Sequence, residues 1–143
     1  MNFLLDTNVL SEVRRPVPDA RVLAWLDQVD EDRVYLSVIS IAEIARGVAL
    51  LEDGRRKAEL ALWLEHDLPH RFGSRILDVD SLTALTWGRM LAEAKQAGRG
   101  LSVMDGWIAA SANRHALTLV TRNIRDFAQL DLELFDPWTH SER

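Results

Sequence analysis

The sequence contains no cysteine. This absence excludes a disulfide-stapled scaffold, a thiolate zinc site and a cysteine nucleophile. It agrees with a reducing compartment, where disulfides rarely form, and we therefore expect a cytoplasmic protein. The four histidines do not show the spacing of zinc ligands either; they are His66, His70, His115 and His140.

Long apolar runs are also missing from the sequence. No stretch approaches the roughly 20 apolar residues that a membrane-spanning helix needs. The apolar start of the chain ends at Asp6 and has no basic residue before it. We therefore expect neither a transmembrane helix nor a signal peptide.

Positive charge is scarce, since 17 lysines and arginines face 22 acidic residues and the net charge is −5. This balance argues against a protein that binds nucleic acid through bulk positive charge. Any chemistry on nucleic acid would have to come from a local site, where a bound cation reverses the sign of the potential.

The order of apolar and polar residues predicts alternating strands and helices. The predicted strands cover residues 3–5, 34–38, 75–79, 117–121 and 132–135. The predicted helices cover residues 6–12, 19–29, 40–51, 55–68, 81–98, 103–114 and a short turn at 124–130. This alternation predicts an α/β fold with a mostly parallel central sheet and helices on both faces. Because 143 residues suit one domain, we predict a single domain over residues 1–143.

Asp6 follows the first predicted strand directly. Ligands of open parallel sheets bind beyond the carboxyl ends of the strands, so a carboxylate at this position is well placed for a functional site. The alternative is that Asp6 only caps the helix that follows it. Both interpretations are compatible with the sequence.

Glu43 and Asp105 each lie three residues after a serine, in Ser40-Ile-Ala-Glu43 and Ser102-Val-Met-Asp105. This is the spacing of a capping box, and for Glu43 the spacing alone favours that interpretation. Both acids, however, lie in largely apolar segments, where a carboxylate is expected to face other polar groups in a cleft.

Thr121 and Asn123 follow the fourth predicted strand, as Asp6 follows the first. Both are typical turn and cap residues, and Asp126 fits a solvated position. In a parallel α/β domain, the ends of strands and the starts of helices meet along one edge of the sheet. Carboxylates that meet there repel one another unless a cation joins them, and Mg²⁺ and Mn²⁺ prefer such oxygen ligands. We therefore predict a divalent-ion site on Asp6, Glu43 and Asp105.

Six segments carry a family resemblance that spans nearly the whole chain. They are residues 5–12 (LDTNVLSE), 36–44 (LSVISIAEI), 47–49 (GVA), 105–110 (DGWIAA), 120–127 (VTRNIRDF) and 135–138 (FDPW). In this order and at these separations they resemble the PIN-domain toxins of bacterial toxin–antitoxin pairs, which are VapC-like ribonucleases, and most closely the FitB-like branch of that family.

The resemblance implies a role for each matching residue. Asp6 and Asp105 would be the principal Mg²⁺ ligands, with Glu43 binding the ion directly or through water. Many relatives have an aspartate where this chain has Asn123. An asparagine can orient a water but adds no negative charge, so this departure would weaken metal binding or disfavour a second ion. Three further residues, Thr7, Asn8 and Thr121, would support the ligands.

The resemblance also implies an activity and partners. It implies the toxin component of a type II toxin–antitoxin system, a homodimer that hydrolyses RNA phosphodiester bonds by a metal-activated water and leaves 5′-phosphate ends. The partner would be a small DNA-binding antitoxin of the VapB or FitA kind, which often inserts an arginine or lysine into the acidic pocket. Arg122 and Arg46 are the first candidates for holding RNA, followed by Arg99, Arg114 and Arg125, although each alone is typical of a solvated surface.

Three alternatives compete with this hypothesis. An inactive PIN fold would act only as an antitoxin-binding or regulatory module; Asn123 leaves that open, whereas the three retained acids count against it. A phosphatase of the haloacid-dehalogenase type needs a second aspartate two residues after Asp6, where this chain has Asn8. A receiver domain needs paired acids after its first strand, and these are absent.

Overall fold

The computed structural model describes residues 1–139, so His140 and the three residues after it lie outside the described part. Five strands occur in this part: β1 Phe3–Leu5, β2 Val34–Ser37, β3 Ile76–Leu77, β4 Thr118–Val120 and β5 Leu134–Phe135. The α-helices are α1 Thr7–Val13, α2 Ala20–Gln28, α3 Val38–Ala49, α4 Arg55–Leu62, α5 Leu68–Phe72, α6 Ser81–Gln96, α7 Val103–Arg114 and α8 Ile124–Phe127. A π-helical turn, Trp63–Asp67, joins α4 to α5. No helix among these residues is long and apolar enough to cross a bilayer.

The five strands form one sheet in the order β3-β2-β1-β4-β5, and every neighbouring pair is parallel. This confirms the predicted α/β class. The chain starts at the central strand, moves outward to β3, and then returns to the other side of β1. The strand order therefore reverses between β1 and β4, which is where open α/β sheets bind their ligands.

Successive residues of a strand point to opposite faces of the sheet, and each face has its own apolar core. Leu4 and Leu119 belong to the cluster that includes residues of α6, α7 and α8. Leu5 and Val120 belong to the cluster that includes residues of α1, α2 and α5. All four side chains are at most 3% exposed. Burial on both faces explains why the strands are almost wholly apolar.

The start of α3 differs from the prediction. Ser37 caps this helix, because its Oγ accepts the Ile39 N–H at 3.0 Å. Strand β2 therefore ends at Ser37, and the helix begins at Val38. The prediction that Ser40 starts the helix and forms a capping box with Glu43 was wrong, and Ser40 lies fully buried inside the helix.

The predicted helix end before Pro69 was also wrong. The helical path continues through α5 to Phe72 and ends at Gly73, which has φ of +52°. Pro69 occupies the first turn of α5, where a missing backbone N–H costs little. In α2, the Asp19 side chain caps the helix by accepting the Arg21 N–H, and Leu23 is 42% exposed.

Helices α6 and α7 pack closely against each other near Asp105, which lies in the first turn of α7. The Trp87 and Trp107 rings stack with centroids 4.4 Å apart, and Trp87 Nε1 donates a hydrogen bond to the Val103 carbonyl oxygen at 3.3 Å. A Cβ at Gly106 would lie 3.1 Å from Trp87 Nε1. The absence of a side chain at Gly106 thus lets α7 approach the Trp87 indole, which the Trp107 ring and the Val103 carbonyl oxygen already hold in place.

We predict that Gly106→Ala lowers the free energy of unfolding by about 1–2 kcal/mol, because the added methyl group must displace the Trp87 ring. Urea denaturation measures this change. Gly88→Ala is the matched control, since a Cβ at that exposed position in α6 meets nothing within 4 Å. Better helix propensity should make that control more stable by about 0.5–1 kcal/mol. Equal effects of the two substitutions would contradict the close approach.

Candidate active site

Asp6 lies at the carboxyl end of the central strand and is only 5% exposed. Its backbone N–H donates to the Val120 carbonyl oxygen at 2.9 Å, which fixes it to the end of β4. Its Oδ1 accepts the Thr7 N–H at 2.7 Å, and its Oδ2 accepts the Thr121 hydroxyl at 2.7 Å. Asp6 therefore caps α1 and also lies at the reversal point of the sheet, so the two interpretations of its position are compatible.

Thr121 ties the ends of β1 and β4 together. It is fully buried, and its hydroxyl proton goes to Asp6. Its oxygen accepts the Asn123 N–H at 3.0 Å and the Asn8 side-chain amide at a longer 3.4 Å. One hydroxyl thus holds the carboxylate of Asp6 and the turn that follows β4.

Thr7 connects the same region to Glu43. Its Oγ1 lies 2.7 Å from Glu43 Oε1 and 2.9 Å from Ser40 Oγ. A hydroxyl has one proton, so Thr7 donates to the carboxylate and accepts from Ser40. Ser40 was predicted only as a helix cap, and its hydrogen bond to Thr7 was not predicted. A serine within an apolar helical run was the available signal, because a buried hydroxyl needs a partner.

Asp6 lies in the field of both other acids. Burial raises the pKa of Asp6, the hydrogen bonds from Thr121 and Thr7 lower it, and the charges of Asp105 and Glu43 raise it again. The net direction is upward. The charges of Glu43 on α3 and Asp105 on α7 therefore act on Asp6 at the end of β1.

Asp105 is half-buried in the first turn of α7. Ser102 Oγ accepts its backbone N–H at 3.1 Å, which confirms the predicted helix start. Burial raises the pKa of Asp105, the Ser102 hydrogen bond lowers it, and the charge of Asp126 raises it. Asp126 is exposed, as the sequence predicted, but its charge also acts on the site.

Asn123 and the arginines lie at the periphery. Asn123 is exposed and its side chain does not cap α8. The Arg122 guanidinium lies 5.3 Å from the centre of the Trp138 ring, and Arg46 is exposed on α3. Two further candidates are engaged elsewhere: Arg99 donates to Gln129, and Arg114 lies 3.9 Å from Asp80.

The donor set near Asp6 consists only of oxygen ligands. Within residues 1–139, no group of three or more acidic, histidine or cysteine side chains is arranged to hold a metal ion. Mg²⁺ is usually held by one or two carboxylates and keeps several waters. The carboxylates of Asp6, Glu43 and Asp105 are donors of the chemical type that Mg²⁺ binds.

A cavity of about 800 Å³ lies between α2 and residues 63–72. Its lining is mainly apolar and includes none of Asp6, Glu43 and Asp105. Size alone would favour this cavity as the reaction site. We place the chemistry at the carboxylates instead, because two of the three charged residues in this lining, Glu31 and Arg71, form an ion pair with each other.

The PIN domain family model matches residues 3–132. The chain belongs to the PIN domain family. A curated relative, Toxin FitB of Neisseria gonorrhoeae, is 44% identical over 136 residues, which covers 95% of this chain and 98% of the relative. Another, VapC ribonuclease Y4jK of Sinorhizobium fredii, is 34% identical over 95% of this chain and 97% of the relative.

A solved structure agrees with this membership. The crystal structure of FitAcB from Neisseria gonorrhoeae superposes with a TM-score of 0.91 at 43% identity, covering 96% of this chain and 99% of that chain. Ribonucleases of the PIN family generally depend on a divalent metal ion.

We predict that Thr121→Val lowers the free energy of unfolding by about 1–3 kcal/mol, because it leaves the Oδ2 atom of the buried Asp6 carboxylate without its donor. Urea denaturation at neutral pH is the measurement. Thr118→Val is the matched control in β4, the strand that directly precedes Thr121, since Thr118 is also buried and its hydroxyl forms no side-chain hydrogen bond within residues 1–139. Similar losses in both variants would show that the Thr121 hydroxyl has no special role.

We predict that Asp126→Asn moves the pKa of Asp105 down towards its ordinary value, because a neighbouring negative charge is removed. Carboxyl NMR titration of the metal-free protein measures the pKa directly. Asp131→Asn removes an equally exposed charge that does not act on Asp105, and it should leave the titration unchanged. An unchanged Asp105 pKa in Asp126→Asn would show that the two groups do not interact.

Proposed function

We propose that this chain is the toxin component of a type II toxin–antitoxin system and a metal-dependent endoribonuclease. The single observation that supports the proposal is the position of Asp6 in a PIN domain, at the reversal point of the sheet and in the electrostatic field of two other acids. Burial raises the pKa of Asp6, and the charges of Asp105 and Glu43 raise it further. Like charges that act on a buried carboxylate favour binding of a cation.

The chain's own residues define the reaction site. Asp6 and Asp105 would hold Mg²⁺ or Mn²⁺, and Glu43 would bind it directly or through water. Thr7 and Thr121 fix the orientation of the carboxylates by hydrogen bonds. When bound, the ion activates a water, neutralises the phosphate and stabilises charge on the leaving oxygen.

The products of the proposed RNA hydrolysis follow from which bond to phosphorus forms and which one breaks. The water oxygen forms a bond to phosphorus, the bond from phosphorus to the 3′ oxygen breaks, and a proton ends on that oxygen. The RNA is left with a 5′-phosphate and a 3′-hydroxyl. Asn123, at the end of β4, supplies a neutral amide that can orient a water. The described histidines lie outside this site, so the proposed reaction does not use a histidine base.

The proposed partner is a small antitoxin. An acidic pocket attracts an arginine or lysine from such a partner, and the apolar cavity beside α2 offers separate contact area. The solved relative FitAcB is consistent with such an assembly. The cytoplasm is the proposed location, because RNA and a DNA-binding antitoxin would meet the toxin there. Homodimer formation stays a prediction.

The decisive experiment maps the 5′ ends of RNA after incubation with the purified chain and Mg²⁺ or Mn²⁺. We expect cleavage by the wild type, inhibition by EDTA, and loss of more than about 100-fold in Asp6→Asn and in Asp105→Asn. Circular dichroism should show that both variants are folded.

Asp131→Asn is the control for the loss of one negative charge, and it should cleave like the wild type. A wild-type chain that binds its antitoxin but cleaves no RNA would instead identify an inactive PIN module. Release of phosphate from small monoesters would favour the phosphatase alternative.

A further inference from the structure

A pocket of about 290 Å³ opens beside the carboxylates, between α1, α3, α4 and the start of the π-helical turn. We call it the arginine pocket, and its key lining residues are Thr7, Arg14, Glu43, Arg56, Leu60 and Trp63. At one end are Thr7 and Glu43, the hydrogen-bonded pair of the candidate active site. Whatever occupies the pocket therefore lies next to the reacting groups.

The two arginines of this pocket lack acidic partners. Within residues 1–139, neither Arg14 nor Arg56 forms an ion pair, although their sequence neighbours do. Arg15 pairs with Glu12 at 3.3 Å, and Arg55 pairs with Glu59 at 3.0 Å. The Nε atom of Arg14 is buried and has no hydrogen-bond partner in the described residues. The positive charge of both side chains is thus not balanced by an ion pair within the described residues.

The positions of these arginines are fixed by local contacts. Arg56 donates through Nη2 to the Arg14 carbonyl oxygen, so α4 is joined to the end of α1. The Arg14 guanidinium lies over the Trp63 ring, 5.3 Å from its centre. Guanidinium groups held this way bind phosphate oxygens with defined geometry.

The rest of the lining is apolar. Val48 and Leu60 are each 8% exposed, and Trp63 presents part of its indole to the pocket. Aromatic and apolar walls beside a cationic group are typical of sites that take single-stranded nucleotides, because every base has an apolar face.

We propose that the arginine pocket binds a nucleotide next to the scissile phosphate of RNA, with Arg14 and Arg56 on its phosphate and the apolar wall against its base. This assignment rests on the proposed nuclease function. An acidic peptide would satisfy the arginines too, but it would leave the apolar wall without a matching group.

The test measures binding of a short fluorescein-labelled oligouridylate to the full chain that carries Asp105→Asn. This background prevents cleavage and keeps every residue that lines the pocket. Arg56→Gln and Arg14→Gln should each weaken binding about tenfold. Each should also reduce the slope of log K against log salt by about 0.7.

Arg55→Gln is the matched control, because it removes the same charge one residue away and Arg55 does not line the pocket. It should leave affinity and slope nearly unchanged. Arg56→Lys should restore part of the affinity, since it keeps the charge but not the forked donors. Circular dichroism should confirm the fold of each variant.

Three outcomes would overturn the assignment. If the wild type cleaves RNA but Arg56→Gln and Arg55→Gln bind it equally, only the pocket assignment fails. If the variants keep RNA binding and lose binding of an oligoglutamate peptide, the pocket belongs to an acidic protein segment. If the wild type cleaves no RNA, the proposed function fails and the pocket assignment fails with it.

Discussion

The site depends on the hydrogen bond that Thr121 donates to the buried carboxylate of Asp6. A carboxylate in an apolar sheet end is costly unless donors replace the water that it loses. Asp6 receives one donor from the end of β4 and one from the start of α1. The same two contacts fix the reversal point of the sheet. Fold and chemistry are therefore linked, because Asp6, the buried carboxylate that needs donors, lies where the strand order reverses between β1 and β4.

The two hydrogen bonds to Asp6 do not fully offset the cost of burying its charge. The donors lower the pKa of Asp6, but burial and the charges of Asp105 and Glu43 leave it raised. Hydrogen bonds within the chain thus orient the acids without neutralising them. A divalent ion would supply the missing positive charge. This also explains how a chain with net charge −5 can act on an anionic polymer, since the local sign at the site changes when a cation binds.

Sequence patterns predicted the elements better than the contacts between them. Apolar strands followed directly by a polar residue, Asp6 or Thr121, indicated the edge of the sheet, because buried strands are apolar and a polar residue marks where each strand ends. The helix that carries Glu43 was misplaced at its start, since Ser37 and Ser40 are both plausible caps and only packing decides between them. The Thr7–Glu43 contact joins residues 36 positions apart, and no local pattern encodes such a pair. The positions of the acids at strand ends and helix starts grouped them as one set, and the family resemblance implied the role of each.

Negative and positive side chains that have no ion-pair partner within the described residues lie on different sides of the site. Asp6 at the end of β1 lies in the field of Glu43 and Asp105, while Arg14 and Arg56 line a pocket of about 290 Å³ to which Thr7 and Glu43 also contribute. Six cations of the described residues pair with an acid no more than four positions away, and such pairs contribute little energy. Arg14 and Arg56 have no such pair and share the lining of one pocket with Glu43, so a strand of RNA that reaches the ion on one side would meet positive charge on the other. Two anchors of this kind fix both position and orientation of the phosphodiester, whereas a single ion fixes position alone.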